Sequence, residues 1–110
     1  MTDLARRRCG ACGSDTPRLT AEQVREIVSE VPQWTLEGDS LVRDLKLKNF
    51  RAALDLLNRV GALAEAEGHH PDLTIHAWNR LRVQLSTHAI GGLSINDFIL
   101  AAKIDQLTQE

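Results

Sequence analysis

The sequence predicts an α+β fold in which three helices pack on one face of a four-stranded antiparallel sheet. Helical and alternating hydrophobic patterns follow one another in the order helix, strand, strand, helix, strand, strand, helix (α-β-β-α-β-β-α). Short turns, and not crossover helices, separate the two strands of each pair, which favours hairpins and therefore an antiparallel sheet. With 110 residues, the chain has the length of a single domain.

Each predicted helix begins at a polar residue that can cap its first backbone N–H groups: Thr20, Asn49 and Ser94. A second polar side chain three positions later, Gln23 in the first helix and Asp97 in the third, completes a capping-box pattern. Apolar residues then recur at helical spacing, and proline or glycine follows the first two helices.

The four strands are predicted from alternation of apolar and polar residues. The first pair comprises QWTLE and SLVRDLKL, which flank a Gly38-Asp39 turn. The second pair comprises a weakly alternating segment, residues 72–78, and a sharply alternating one whose apolar residues are Leu81, Val83 and Leu85. We expect both tryptophans, Trp34 and Trp78, in the core or at its edge.

Residues 1–19 show no hydrophobic periodicity and predict a flexible N-terminal tail, which leaves residues 20–110 as the folded domain. The tail contains the only two cysteines, Cys9 and Cys12, in a CxxC arrangement. This is half of a four-cysteine metal site, so we expect no metal there within one chain.

The last predicted helix is apolar on two sides, one formed by Ile95, Phe98 and Ile99 and the other by Leu100, Ile104 and Leu107. In a domain of this size, the second apolar side calls for a second partner. The pattern therefore predicts a homo-oligomer, either a homodimer or a homotetramer.

Composition argues against several classes of partner. The formal net charge is -2 and the pI is about 6.1, so electrostatics give no reason to expect nucleic acid or an acidic membrane as a ligand. The arginines near the N-terminus are not followed by an apolar run, and no segment is long and apolar enough to span a bilayer. We expect a reduced, cytoplasmic protein.

Four side chains are candidates for chemistry: Glu65, His69, His70 and His88. Glu65 and His69 are four positions apart, which places them on one face of a helix. A surface ion pair is the alternative for these two, and a solvent-exposed strand end is the alternative for His88. Zinc is a rival occupant of such a set, but adjacent histidines diverge from a regular backbone, so we expect no metal.

A longer pattern includes these residues: Glu65-x3-His69-His70-Pro71, then Trp78, His88 and Asp97. It resembles the pterin-4a-carbinolamine dehydratases. PQWTLEGDSL is similar to the N-terminal hairpin of that family, and THAIGGLSINDFILAAKID is similar to its C-terminal block. The resemblance covers the chain from about Leu19 to Leu107.

The resemblance implies dehydration of 4a-hydroxytetrahydropterin to quinonoid dihydropterin and water, which recycles the cofactor of aromatic amino acid hydroxylases. No cofactor or metal is implied, because imidazoles can deliver and accept protons near neutral pH. By similarity, the catalytic residues are His69, His70 and His88, with His70 and His88 nearest the leaving hydroxyl. The implied substrate-binding residues are Glu65, Trp34, Pro71, Ser86, Thr87 and Asp97.

The resemblance also implies roles for the two acidic residues. Glu65 would orient His69 or bind the pterin ring, and Asp97 would hold His88 or cap the last helix.

A second function remains open from the sequence. The CxxC tail and the C-terminal block resemble plant-type and bacterial members, and that branch includes dehydratase-like proteins that assist RuBisCO assembly. The alternative is therefore a catalytically weak protein that binds RuBisCO or another protein partner, since fold does not fix function.

Overall fold

The computed structural model of the chain describes residues 4–6, 18–87 and 91–108. The helices are α1 (Ala21–Ile27), α2 (Phe50–Glu67) and α3 (Ile95–Leu107), and the strands are β1 (Thr35–Glu37), β2 (Ser40–Lys46), β3 (Asp72–His76) and β4 (Arg80–Leu85). Two 3-10 turns, Leu4–Arg6 and Val28–Glu30, complete the described elements. This order confirms the predicted fold class. In these ranges, no helix has the length and apolar character needed to cross a membrane.

The four strands form one antiparallel sheet in the order β1-β2-β4-β3. Pairing of Leu41 with Leu85 and of Ile75 with Leu81 sets the register, so that the apolar residues of neighbouring strands share one face. Helices α2 and α3 cover that face, and Leu41, Leu81 and Leu85 are fully buried beneath them. The opposite face carries mostly charged and polar side chains.

The predicted helix caps are present. Thr20 and Gln23 form the capping box of α1, the Asn49 side chain accepts a hydrogen bond from the backbone N–H of Ala52, and Ser94 and Asp97 form the capping box of α3. At the other end of α2, Gly68 adopts the left-handed conformation (φ 67°) that closes many helices. This reversal directs the following residue, His69, back toward α2, where its N–H bonds to the carbonyl of Ala64 at 3.2 Å.

Both apolar sides of α3 are buried within the chain: Phe98 and Ile99 of one side and Leu100 and Ile104 of the other are at most 1% exposed. The N-terminal turn Leu4–Arg6 also packs against α3, with Leu4 and Ala5 buried and the Lys103 ammonium donating to the Ala5 carbonyl at 2.8 Å. Packing within one chain thus accounts for the two apolar sides from which we predicted an oligomer. It also gives structure to three residues of the predicted flexible tail.

Cys9, Cys12 and the other tail residues at positions 1–3 and 7–17 lie outside the described residues. The domain boundary at residue 20 stays a prediction.

The two tryptophans have different environments. Trp34 is 4% exposed, which confirms its place in the core. The expectation for Trp78 is wrong, because this side chain is 64% exposed. Trp78 lies in the turn between β3 and β4, where both it and Ala77 have positive φ angles (57° and 47°). The turn places most of the Trp78 surface in contact with solvent.

Candidate active site

The predicted site centres on a buried imidazole–carboxylate pair. His69 Nε2 lies 2.6 Å from Asp97 Oδ1, and the exposed fractions of the two side chains are 5% and 0%. His69 follows the end of α2, and Asp97 lies in the first turn of α3, so the pair joins the two long helices. An ionised carboxylate accepts but does not donate, so pairing with ionised Asp97 places the shared proton on Nε2 of His69.

Asp97 accepts two further hydrogen bonds through its other oxygen. The Thr87 hydroxyl and the Ser94 backbone N–H both donate to Oδ2 at 2.9 Å. Because the single hydroxyl proton of Thr87 is given to Asp97, the 2.9 Å contact between the Thr87 and Ser94 hydroxyls requires Ser94 to be its donor. Three donors and the N-terminus of α3 thus stabilise one buried negative charge.

A second imidazole–carboxylate pair is exposed to solvent. His70 Nε2 is 2.7 Å from Glu65 Oε1, and these side chains are 63% and 81% exposed. The structure thus pairs Glu65 with His70, whereas the expectation was that Glu65 orients His69 or binds the pterin ring. The reason is the left-handed Gly68: it ends the helix before His69, so the helical i, i+4 relation to Glu65 does not hold. Asp97 contacts His69 and also caps α3, which is one of its two expected roles.

The two adjacent histidines consequently differ in how accessible their rings are to a ligand. His69 is fixed in the interior by Asp97 and has little surface to offer a ligand. His70 presents most of its ring to the outside while Glu65 holds one of its nitrogens. This arrangement can exchange protons with a bound molecule through His70 and keep the backbone beneath it in place through His69.

The remaining predicted site residues are distributed around this centre. Thr87 belongs to the buried network and is 2% exposed, while Pro71 and Ser86 are half-buried. His88 lies outside the described residues. Trp34 donates its indole N–H to Asp105 at 2.9 Å, eight positions along α3 from Asp97 and therefore about 12 Å along the helix axis.

The sequence reasoning missed the contribution of Ser94 and of the Thr87 hydroxyl to the site. The Ser94-x-x-Asp97 capping pattern gave a partial signal, because it placed Asp97 at a helix start beside a second polar group. No sequence pattern pairs Thr87 with Asp97, since their contact depends on how β4 meets α3.

One imidazole–carboxylate pair lies away from the site. His76 Nε2 is 2.8 Å from Asp44 Oδ2 on the polar face of the sheet, where Arg80 also approaches Asp44. Among the residues that the structure describes, no three His, Cys, Asp or Glu side chains converge in a way that could hold a metal ion. A cavity of about 570 Å³ between β2, α2 and the end of α3 contains none of the predicted site residues.

Comparison with known proteins identifies the family. Residues 17–107 match the family model described as pterin 4 alpha carbinolamine dehydratase, so the chain belongs to that family. A Methylococcus capsulatus protein whose name places it among the pterin-4-alpha-carbinolamine dehydratases is 45% identical over 109 residues, which are 97% of this chain and 95% of the relative.

Two further relatives broaden the comparison. The mitochondrial pterin-4-alpha-carbinolamine dehydratase 2 of Arabidopsis thaliana is 41% identical, and the match covers 100% of this chain and 62% of the plant protein. The crystal structure of a transcriptional coactivator/pterin dehydratase from Brucella melitensis has a TM-score of 0.75 at 29% identity, covering 83% of this chain and 98% of the Brucella chain. The matches confirm the family, the fold and the dehydratase assignment predicted from the sequence.

The Asp97 network predicts a stability effect. Asp97→Asn preserves the side-chain shape but replaces one acceptor oxygen by an NH₂ donor, which either leaves a buried donor without an acceptor or forces the His69 ring into its other tautomer. We expect the free energy of unfolding to fall by about 2–3 kcal/mol, measured by urea denaturation. The control is Asp55→Asn on the exposed surface of α2, which should change it by less than about 0.5 kcal/mol. An Asp97→Asn protein as stable as wild type would contradict the network.

Proposed function

We propose that this protein dehydrates 4a-hydroxytetrahydropterin to quinonoid dihydropterin, and that His70 is a proton-transfer residue. The observation that carries the proposal is the exposed His70–Glu65 pair directly beside the buried His69–Asp97 pair. Membership of the pterin-4a-carbinolamine dehydratase family supports the choice of substrate.

The reaction is a loss of water in which two proton transfers accompany one bond cleavage. The bond between C4a and its hydroxyl oxygen breaks, and a general acid protonates that oxygen so that water leaves. A ring nitrogen loses a proton as the double bond to C4a forms, and a general base accepts it. A positioned imidazole can serve in either role, and each transfer contributes about 10²–10⁴-fold to such reactions.

The contact with Glu65 supports the use of one particular nitrogen of His70. Glu65 Oε1 engages Nε2 at 2.7 Å, so Nδ1 is the ring atom that would exchange a proton with the pterin. Glu65 would keep the ring oriented and stabilise it when it is positively charged. Its proposed role is therefore to act on His70.

The burial of His69 favours a positioning role over direct proton exchange. Its side chain is 5% exposed and held by Asp97, so we propose that it fixes the end of α2 and the backbone of His70. His88, the third predicted imidazole, is proposed as the partner of His70 at the leaving hydroxyl. Pro71, Ser86 and the backbone at Thr87 remain proposed substrate contacts, and no cofactor is proposed.

Two further expectations from the sequence stay predictions. A cytoplasmic location is one, and the Arabidopsis relative is mitochondrial by name. The other is a role as a RuBisCO assembly factor or other protein-binding partner; the Brucella protein is called both a transcriptional coactivator and a dehydratase. A folded protein without dehydratase activity would favour such a binding role.

Substitution of His70 tests the catalytic proposal. We expect His70→Ala to lower kcat/KM for dehydration of 4a-hydroxytetrahydropterin by about 100-fold, because a general acid or base is removed. The rate is measured against the spontaneous reaction under the same conditions.

The matched control for this substitution is His76→Ala. His76 is also an exposed imidazole paired with a carboxylate, at 2.8 Å, but it lies on the polar sheet face. Its removal should leave kcat/KM unchanged. Equal activities of the His70→Ala and wild-type proteins would contradict the role given to His70.

We further propose that the chain forms homo-oligomers through α2. Phe50 and Leu54 are one turn apart on this helix and are 50% and 37% exposed, although both are large apolar side chains. Gly61, two turns beyond Leu54 on the same side, has nothing within 4 Å of the position of a Cβ atom, so a second helix could approach closely there.

Introducing a charge on the side of α2 that carries Phe50, Leu54 and Gly61 tests oligomerisation. Leu54→Asp should convert a wild-type dimer or tetramer to monomer in sedimentation equilibrium, because pairing would bury an unpartnered carboxylate. Ala62→Asp, on another exposed side of α2, should leave the mass unchanged. A Leu54→Asp protein that sediments like wild type would place the interface elsewhere, and a monomeric wild type would end the proposal.

A further inference from the structure

Arg18 contacts the backbone close to the candidate active site in a way that nothing in the dehydratase chemistry requires. A Cβ atom at Gly92 would lie 2.4 Å from Nε, 3.0 Å from Cζ and 3.1 Å from Cδ of Arg18. The guanidinium group therefore occupies the space that any side chain at position 92 would need. Gly92 does not have a positive φ, so a side chain at this position would be opposed by the Arg18 contact and not by the backbone conformation.

The segment that contains Gly92 is held from two sides. On one side, the Leu19 N–H donates to the Leu93 carbonyl at 2.9 Å, directly next to the Arg18 contact. On the other side, Thr87 and Gly92 exchange two backbone hydrogen bonds, with N–O distances of 2.8 and 3.4 Å. Gly92 thus lies between the segment that leads into α1 and the end of β4.

Thr87 connects the Gly92 segment to the candidate active site. Its backbone pairs with Gly92, and its hydroxyl donates to Asp97 Oδ2, while Asp97 Oδ1 holds His69. A displacement of Gly92 would therefore move Thr87, and through Thr87 it would disturb the acceptor that fixes His69. Catalytic geometry tolerates such displacements poorly, since a shift of about 1 Å can cost 10²-fold in rate.

We propose that Arg18 is a positioning residue for the dehydratase site and acts by packing its guanidinium plane on Gly92. The inference rests on the proposed function for its catalytic consequence, but the packing itself is independent of it. Arg18 does not touch the proposed proton-transfer groups; it acts through Gly92, Thr87 and Asp97 in turn.

Arg18 acts on Gly92 through its planar guanidinium group and not through its charge. Its ion pair with Asp39 is long, at 3.4 Å, and the two side chains are 56% and 66% exposed, so solvent screens the attraction. The close contact with Gly92 involves Nε, Cζ and Cδ, which are the atoms of the guanidinium plane and its attachment. Lysine provides the charge without the plane.

A double-mutant cycle tests the proposal. Arg18→Ala removes the packing group, and Gly92→Ala displaces it with a methyl group. We expect each variant to lower kcat for dehydration by about tenfold with little change in KM, because orientation and not binding is disturbed. In the Arg18→Ala background the methyl group meets no guanidinium, so the double variant should be no slower than Arg18→Ala alone.

Two further variants distinguish packing by Arg18 from an effect of its charge and from a general effect of removing a nearby arginine. Arg18→Lys should be as slow as Arg18→Ala, because it restores only the charge. Arg25→Ala should behave as wild type, because Arg25 lines the same surface pocket as Arg18 and Leu93 but has no contact with Gly92 among those given for that glycine. Wild-type kcat in Arg18→Lys, or losses in the double variant that multiply those of the single variants, would overturn the proposal.

Amide hydrogen exchange separates this proposal from the proposed function. The Thr87 amide donates to the Gly92 carbonyl, so its exchange should be faster in Arg18→Ala and Gly92→Ala and unchanged in Arg25→Ala. Unchanged Thr87 exchange in Arg18→Ala would overturn the packing role whatever the activity. If wild-type protein failed to accelerate dehydration, the proposed function and the catalytic consequence for Arg18 would both fall, while faster exchange would still establish the packing role.

Discussion

The buried carboxylate of Asp97 is the constraint on which the rest of the site depends. Removing a charged group from water costs several kcal/mol unless hydrogen bonds replace the lost hydration. Here the replacements come from three places in the chain: the imidazole of His69 after α2, the hydroxyl of Thr87 after β4, and the backbone N–H of Ser94 at the start of α3. Because all three must be in place together, the ends of these elements are fixed relative to one another.

This constraint distinguishes two pairs that are locally alike. His70–Glu65 and His76–Asp44 each join an exposed imidazole to a carboxylate, at 2.7 and 2.8 Å. Only His70 adjoins the buried network, so its backbone is held while its ring remains accessible. An imidazole–carboxylate contact therefore does not define a site by itself; what matters is the rigid support beneath it.

Local signals in the sequence predicted most of the fold. Capping residues such as Thr20 and Ser94, and the alternation of Leu81, Val83 and Leu85, specify their elements without reference to distant residues. The packing of Leu4–Arg6 on α3 was not predictable, because three residues carry no periodicity. The exposure of Trp78 was missed since hydrophobicity indicates the core, whereas the positive φ angles of its turn decide the position.

The sequence selected side chains that the structure brings close together, but it did not predict how they pair. The resemblance pattern selected Glu65, His69, His70 and Asp97, yet helical spacing assigned Glu65 to His69. The left-handed Gly68 changes that assignment by turning His69 inward, toward a carboxylate that is 28 positions away in the sequence. Arg18 lay outside every motif, because its contact is with a backbone atom and depends on tertiary structure alone.

The protonation state of the His69 ring is the property that the Asp97 network determines, and it can be measured. Nitrogen-15 NMR of the histidine side chains identifies which ring nitrogen carries a proton. We expect a proton on Nε2 of His69 that exchanges slowly with solvent and loses this protection in Asp97→Ala. A His69 ring protonated only on Nδ1, or one whose Nε2 proton exchanges as fast as that of exposed His76, would contradict the role of Asp97 as the organising acceptor.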